Sequence, residues 1–475
     1  MTMQFGDRTD TPLKIYNTIS RQLEPFSTIE PGKVRMYVCG VTVYDHAHIG
    51  HGMSSIAFDV VRRYLMYLGY DVTYAQNFTD IDDKIINRAN QEGIDPQELT
   101  ESLIATWGEE MAAFNVLPAT INPRATQEIP EIIEMIKGLI AGGHAYEANG
   151  DVYFKVRSFP EYGKLSHRNI DDLLIGARIA AGEHKHDPLD FALWKAAKPG
   201  EPTWDSPWSA GRPGWHIECS AMCSHHLGSQ VDIHGGGADL IFPHHENEIA
   251  QSEAFSGDEP FARYWMHNGL LQLGSEKMSK SLGNVVRLRE IASQGRAMAF
   301  RLQVLSSHYR APLTYTEDGL DAAHNGLDRL RAAARPIENE IESRRDNELD
   351  LLVEHSIQAF HDAMLNDFDT PGAIAAIFEL GRAINRGRST HKVSESVQDA
   401  RTMLLDLTGI LGLDLSEVTK DDLMAAGPFI DLLIRLRNDL RTAKQFAIAD
   451  QVREELAELG VTLEDTRQGT IWKTS

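Results

Sequence analysis

The sequence predicts an α/β protein, a doubly wound parallel sheet split by an insertion and followed by a helical bundle and a small C-terminal unit. Three observations carry this. Between Val34 and Phe78 an apolar run, a helical period and a second run follow one another; between about Gly150 and Trp208 the texture changes; past Leu282 helical periodicity dominates. At 475 residues the chain exceeds one core of roughly 100–200 residues, so about three units are expected.

The elements follow in order. Val34-Arg35-Met36-Tyr37-Val38-Cys39 reads as a strand, and Ile56, Val60, Val61, Tyr64, Leu65 and Leu68 repeat at helical spacing until Gly69 stops them. Asp71 to Phe78 reads as a second strand, which makes a right-handed βαβ unit of Rossmann type with parallel strands. Two helices open near Pro96 and Pro130, the second with Ile132, Ile133, Ile136, Leu139 and Ile140 on its buried face and Gly142-Gly143 at its end. Short strands, prolines and tryptophans from Gly150 to Trp208 read as an insertion. The sheet is expected to resume at Trp215–Cys219 and Val231–His234, with a helix at His244–Phe255. Arg335 to Asp350, rich in Glu and Arg, reads as a solvated helix face or linker. Asp369-Thr370-Pro371 starts a helix through Ile374, Ile377, Phe378 and Ile384. After Asp421, helices at Phe429–Ala443 and Phe446–Leu459 lead to a terminal strand.

Composition, with 42% hydrophobic and 24% charged residues, reads as soluble and globular. Met1 to Asp10 is polar, and no run approaches the roughly 18 apolar residues of a membrane span, so a cytoplasmic protein is expected. Three cysteines argue against a disulfide framework and for a reducing compartment. A formal charge of −23 argues against indiscriminate nucleic-acid binding, while leaving room for a local basic surface on an acidic body.

Two short words carry chemistry. His48-Ile49-Gly50-His51 follows the first strand and opens a helix; Lys277-Met278-Ser279-Lys280-Ser281 precedes Leu282-Gly283-Asn284 between apolar segments. When a carboxylate attacks the α-phosphate of ATP in line, negative charge builds on pyrophosphate. Histidines at a helix N-terminus and mobile lysines neutralise it. Gly50 permits close backbone approach to phosphate. On residue types alone, the first word also reads as a helix cap and the second as an exposed basic turn. Apart from these words, Cys39, Cys219, His244 and Glu248 have the ligand types of a tetrahedral Zn²⁺ site, the last two on one helix face at i, i+4. A polar helix surface at His244–Glu248 and a buried thiol pair, Cys219 with Cys223, remain alternative readings.

The order of these words, with Trp215-His216-Ile217-Glu218-Cys219 and Pro243-His244-His245-Glu246-Asn247-Glu248, resembles the class I cysteinyl-tRNA synthetases over nearly the whole chain. Ala363-Met364, Asn366 to Pro371 and Leu463 to Trp472 extend the likeness; Gly52-Met53 and Arg467 depart from the family pattern. The resemblance implies ligation of L-cysteine to tRNA(Cys) through an ATP-derived adenylate. It assigns one Zn²⁺ per chain to Cys39, Cys219, His244 and Glu248, and ATP with Mg²⁺ as substrate. It further implies catalytic and ATP contacts at His48, Gly50, His51, Lys277 and Lys280, and substrate contacts at Gly40, Thr79, Trp215 and Asp239. Cys223 is left as a structural thiol. The implied division is 1–145 and 209–265 for the catalytic domain, 146–208 for its insertion, 266–325 for a stem-contact region, 326–418 for a tRNA-binding bundle and 419–475 for an anticodon-binding domain. A monomer without membrane contact is expected. The alternative is a cysteine ligase of thiol-cofactor (mycothiol) synthesis, which resembles the catalytic half but lacks the end after Asp421. Selection by a metal–thiolate bond exceeds the ~1–3 kcal/mol available from a missing methylene, so no editing site is required.

Overall fold

The computed structural model describes residues 12–169, 184–273, 276–277, 285–337, 340–388, 392–416, 420–458, 461–466 and 469–474. A hairpin, β1 (Lys14–Asn17) and β2 (Gln22–Pro25), precedes the first βαβ unit, built from β3 (Lys33–Thr42), α1 (Ile49–Tyr67) and β4 (Asp71–Thr79). The unit forms because β3 alternates: Val34, Met36 and Val38 enter one core, and Tyr37 and Cys39 enter a second. Ile49, Met53, Ile56, Val60 and Tyr64 pack the face of α1 into the first core, and Gly69, at a left-handed φ of 93°, ends the excursion.

Three helices follow, α2 (Asp83–Glu92), α3 (Pro96–Ala113) and α4 (Ile129–Ala141), the last two with proline in the first turn. Strands β5 (Ala145–Ala148), β6 (Asp151–Phe154), β7 (Phe191–Ala196) and β8 (Gly211–Pro213) make a separate antiparallel sheet. The chain then returns through α5 (Trp215–Leu227), β9 (Val231–Gly237), α6 (Glu246–Ser256) and β10 (Ala262–Asn268). The central sheet is wholly parallel, in the order β10-β9-β3-β4. A register break between Val38 and Val41 brings Gly40 against β4; a Cβ there would lie 1.7 Å from the Asn77 carbonyl oxygen, so only glycine fits.

Trp215–Cys219, expected as a strand, is instead the start of α5. Every residue from Ile217 to Cys223 is buried, and a helix buried all round shows no polar face to reveal its period. The helix expected from His244 begins at Glu246, after a wide turn over Ile241–His245.

Beyond β11 (Leu271–Leu273) and β12 (Glu276–Lys277) come α7 (Leu288–Ser293), α8 (Ala297–Leu305), β13 (Leu313–Tyr315) and α9 (Glu317–Ala334). The segment read as linker or helix face contains β14 (Glu340–Glu342), which pairs in parallel with β15 (Lys392–Ser394). Around that pair stand α10 (Asn347–Leu365), α11 (Thr370–Gly387) and α12 (Glu395–Ile410). A small end unit, α13 (Lys420–Thr442), α14 (Phe446–Glu458) and a hairpin of β16 (Val461–Thr466) and β17 (Gly469–Thr474), has its own core of Ile430, Ile434, Leu456, Val461 and Leu463. The single terminal strand expected there is therefore two paired strands; Arg467 lies outside the described residues.

Arg301, fully buried in α8, ties these parts together. Its guanidinium donates to Asp59 of α1, to the carbonyls of Phe114 (2.9 Å) and Asn115 (3.1 Å), and to that of Leu411 (2.9 Å). Asp59 also accepts from Arg63 (2.8 Å) and the Leu117 amide (2.9 Å).

Candidate metal centre and nucleotide site

The carboxyl ends of the parallel strands carry the predicted residues, as open α/β sheets require. Cys39 sits near the end of β3, Cys219 on α5, His244 in the turn before α6 and Glu248 on α6. All four are buried. Glu248 Oε1 lies 3.2 Å from Cys39 Sγ and 3.0 Å from His244 Nε2, and Cys219 is buried on α5 beside them. Ligands of one tetrahedral ion, at bonds of 2.0–2.3 Å, stand about 3.3–3.7 Å apart, close to these separations. Cys39, His244, His245 and Glu248 hold ligand atoms within 4.8 Å of one another; three of the four expected ligands are in this grouping, and His245 stands in it where Cys219 was expected.

The surroundings hold these groups in place. Glu248 Oε2 bonds His234 Nε2 of β9 at 2.9 Å. His245 Nδ1 bonds His267 Nε2 (2.8 Å), whose Nδ1 meets Thr18 Oγ1 (2.8 Å), and this fixes the imidazole orientations in series. Burial raises the Glu248 carboxyl, but His234 and His244 outweigh it and hold the acid well below its ordinary range. A hydrogen bond from Cys39 draws the Cys219 thiol down to about 6, while burial drives Cys39 up, so the pair releases one proton readily. The buried Nδ1 of His234, Nε2 of His245 and hydroxyl of Tyr37 have no hydrogen-bond partner. Two thiols, three imidazoles and one carboxylate are rich in lone pairs and hold no lysine or arginine. This donor set fits a soft or borderline cation.

Trp215, half-exposed at the start of α5, stacks on His244 with centroids 4.3 Å apart; His216 Nδ1 is 2.9 Å from His244 Nδ1. Thr79, at the end of β4, donates to Glu218 Oε2 (3.0 Å), whose carboxyl burial raises well above its usual value. Asp239 is exposed in the turn Ala238–Leu240 after the Gly235–Gly237 run. Glu218, His234, His245 and His267 did not stand out in the sequence as parts of a site. The adjacency of His245 to His244 was the one visible signal; His234 and His267 are strand residues that only the sheet order brings together.

His48 caps α1: its Nδ1 accepts the Gly50 amide (3.2 Å), and His51 Nδ1 accepts the His48 amide (3.4 Å). The rings stack at 3.7 Å. With Nδ1 accepting in both, each neutral ring carries its proton on Nε2 and presents a donor. The Gly50 amide is thereby engaged by His48, and the Ile49 amide donates to Val286 O (3.1 Å), so this helix terminus offers phosphate imidazole donors where the sequence reading expected backbone at Gly50. The chain following the second word returns to the first: Leu288 N donates to Ala47 O (3.1 Å) and Arg287 bridges His48. Lys277 ends β12, opposite Gln272; Lys280 lies outside the described residues.

Comparison with known proteins identifies the family. A family model for the class I tRNA synthetase (C) catalytic domain matches residues 25–325, and one for the DALR domain matches residues 359–416. A cysteine–tRNA ligase of Dehalococcoides mccartyi is 56% identical over 465 residues, 97% of this chain and 99% of that protein. One from Thermococcus gammatolerans is 50% identical over 472 residues, with the same coverages. The solved methionyl-tRNA synthetase of Mycobacterium tuberculosis in complex with methionyl-adenylate shares the fold, with a TM-score of 0.57 at 16% identity over 85% of this chain and 94% of that one. Among the described residues no helix is long and apolar enough to cross a membrane. Matched over more than half its length by the catalytic-domain model, and over 97% of it by relatives of this identity, the chain belongs to the cysteine–tRNA ligase family of class I tRNA synthetases.

Proposed function

We propose that the chain activates L-cysteine with ATP and Mg²⁺ to cysteinyl-adenylate and transfers the cysteinyl group to the 3′ end of tRNA(Cys). The observation that carries the specificity is the buried cluster of Cys39, Cys219, His244 and Glu248 at the carboxyl end of the sheet. These four would hold one Zn²⁺, which supplies a soft Lewis acid that prefers a thiolate to a hydroxyl. The family resemblance gives the fourth position to Cys219, and His245, held through Nδ1 by His267, keeps an unpartnered Nε2 beside it. Trp215 covers His244, and Thr79 and Gly40 border the substrate space, with Asp239 at its outer edge.

In the first step the carboxylate of cysteine attacks the α-phosphorus, the bond to the bridging oxygen breaks and pyrophosphate leaves. His48 and His51 donate Nε2 protons to the charge that develops, and Lys277 and Lys280 add their cations. In the second step a terminal ribose hydroxyl attacks the adenylate carbonyl and AMP leaves. Gly269 N–Tyr309 O (2.8 Å) and Leu313 N–Leu270 O (3.1 Å) fasten the 266–325 region to itself as a platform beyond the sheet. The end unit after Thr419, with its own core and Trp472 in the last strand, supports anticodon reading; an amino-sugar ligase has no use for it. We place the enzyme in the cytoplasm and take it as a monomer.

ATP–pyrophosphate exchange tests the reading. Exchange is expected with cysteine and absent with serine, and charging of tRNA(Cys) transcript is expected to follow. Exchange supported equally by serine contradicts the metal's role, and exchange without charging contradicts the acceptor.

A further inference from the structure

A second convergence of ligating groups lies outside the adenylation site. Glu128 precedes α4, and His225 and His226 occupy the last turn of α5. His225 Nδ1 lies 2.6 Å from Glu128 Oε2, and His226 Nε2 lies 2.7 Å from Glu128 Oε1. All three ligand atoms fall within 4.8 Å of one another. Adjacent helix positions point about 100° apart and do not normally face one target. Here the two rings reach one carboxylate by different nitrogens, the near Nδ1 of one and the far Nε2 of the other, with centroids 4.5 Å apart.

Glu128 is buried at 7% exposure, while the side chain of His225 is 47% exposed, so the carboxylate is fixed and the entrance is open to solvent. A protonated histidine at a helix C-terminus explains one such contact through the helix dipole. The second ring adds another imidazole nitrogen on the other oxygen of the same buried carboxylate, so three ligand atoms converge where the helix dipole alone would place one ion pair.

We propose that Glu128, His225 and His226 form a second divalent-metal site, taking Zn²⁺ or another borderline ion such as Ni²⁺ or Co²⁺, with water in the remaining positions. It is chemically distinct from the Cys39 cluster because it holds no sulfur. By replacing the shared protons between α4 and α5, the ion fastens the end of the helix whose other end carries Trp215 and Cys219.

The test uses full-length protein stripped with chelator and titrated with Zn²⁺, then with Co²⁺. The parent is expected to bind two equivalents per chain. The His225→Gln/His226→Gln variant, altered at surface-accessible rings, is expected to bind one and to keep cysteine-dependent exchange. Cys219→Ser is expected to retain the Glu128 equivalent, whose Co²⁺ spectrum lacks thiolate charge-transfer absorption. Added Ni²⁺ should raise the Tm of Cys219→Ser and leave that of the histidine variant combined with Cys219→Ser unmoved. A double-histidine variant that binds as much metal as the parent overturns the second site, whatever becomes of the first. Absence of sulfur-type absorption from the Co²⁺-loaded parent would instead count against the cysteine cluster.

Discussion

Two buried polar networks face each other across the parallel sheet, and they differ in what completes them. On one face Asp59 is satisfied entirely by the chain: Arg301, Arg63 and the Leu117 amide surround it, and the remaining donors of Arg301 end on carbonyls. On the other face Cys39, Cys219, His244 and Glu248 come together with no lysine or arginine among them, beside unpartnered nitrogens of His234 and His245. A buried network that closes on itself locks domains together. One that lacks its counter-charge marks the place of a ligand.

The largest effect that separates the two comes from Cys219→Ser. Loss of a partner beyond the ligands typically costs 10–100-fold in metal affinity or activity, so loss of a ligand is expected to lower cysteine-dependent exchange by more than ~100-fold. Near-normal unfolding should accompany it, as read by thermal denaturation. Activity within a few-fold of the parent would remove the metal from the account. Arg301→Leu should do the reverse. It removes the fully buried partner of Asp59, leaving Arg63 and the Leu117 amide, and is expected to destabilise the protein by ~1–3 kcal/mol in urea denaturation, with Asp59→Leu/Arg301→Leu recovering part of that. An unchanged urea midpoint would show that the Asp59 network does not hold α1 against the helical region.

A smaller effect sharpens the comparison inside the metal cluster. His234→Gln leaves all four ligands but removes the 2.9 Å bond that orients Glu248, so zinc affinity should fall by roughly 10–100-fold in a chelator competition while the fold persists. An affinity equal to the parent's would mean that Glu248 is oriented by other groups.

The smallest effect concerns pH. Burial lowers His361, set between the hydroxyls of Tyr64 and Tyr67 (3.1 Å each), to about 4. Its folded pKa lies below the unfolded value near 6.5, so the unfolded chain binds the extra proton between them. The stability it contributes is present above about 6.5 and is lost as pH falls toward 4. His361→Gln should flatten the pH dependence of Tm across that window, and a parallel profile would contradict the contribution.

The parts legible in the sequence were those whose information is local. β3, α1 and β4 announced themselves by period, and His48-Ile49-Gly50-His51 by standing where a strand gives way to a helix. The helix α5 was misread because residues 217–223 are all buried, which erases the polar face that separates helix from strand. The groups around Glu248 were illegible for a different reason. His234 and His267 are distant in the chain and come together because β9 pairs with β10, and Thr18 joins them because the segment after β1 packs on β10. Arg301 did give a sign, the lone charge in the run Ala297–Leu305, yet its partner Asp59 lies 242 positions away.

The central claim is that the cysteine cluster's ion meets the substrate's sulfur. Titration of Co²⁺-loaded enzyme with L-cysteine, followed by near-ultraviolet thiolate-to-cobalt absorption, tests it most directly. The account predicts added intensity with L-cysteine and none with L-serine or S-methyl-L-cysteine. Identical spectra with all three would contradict it.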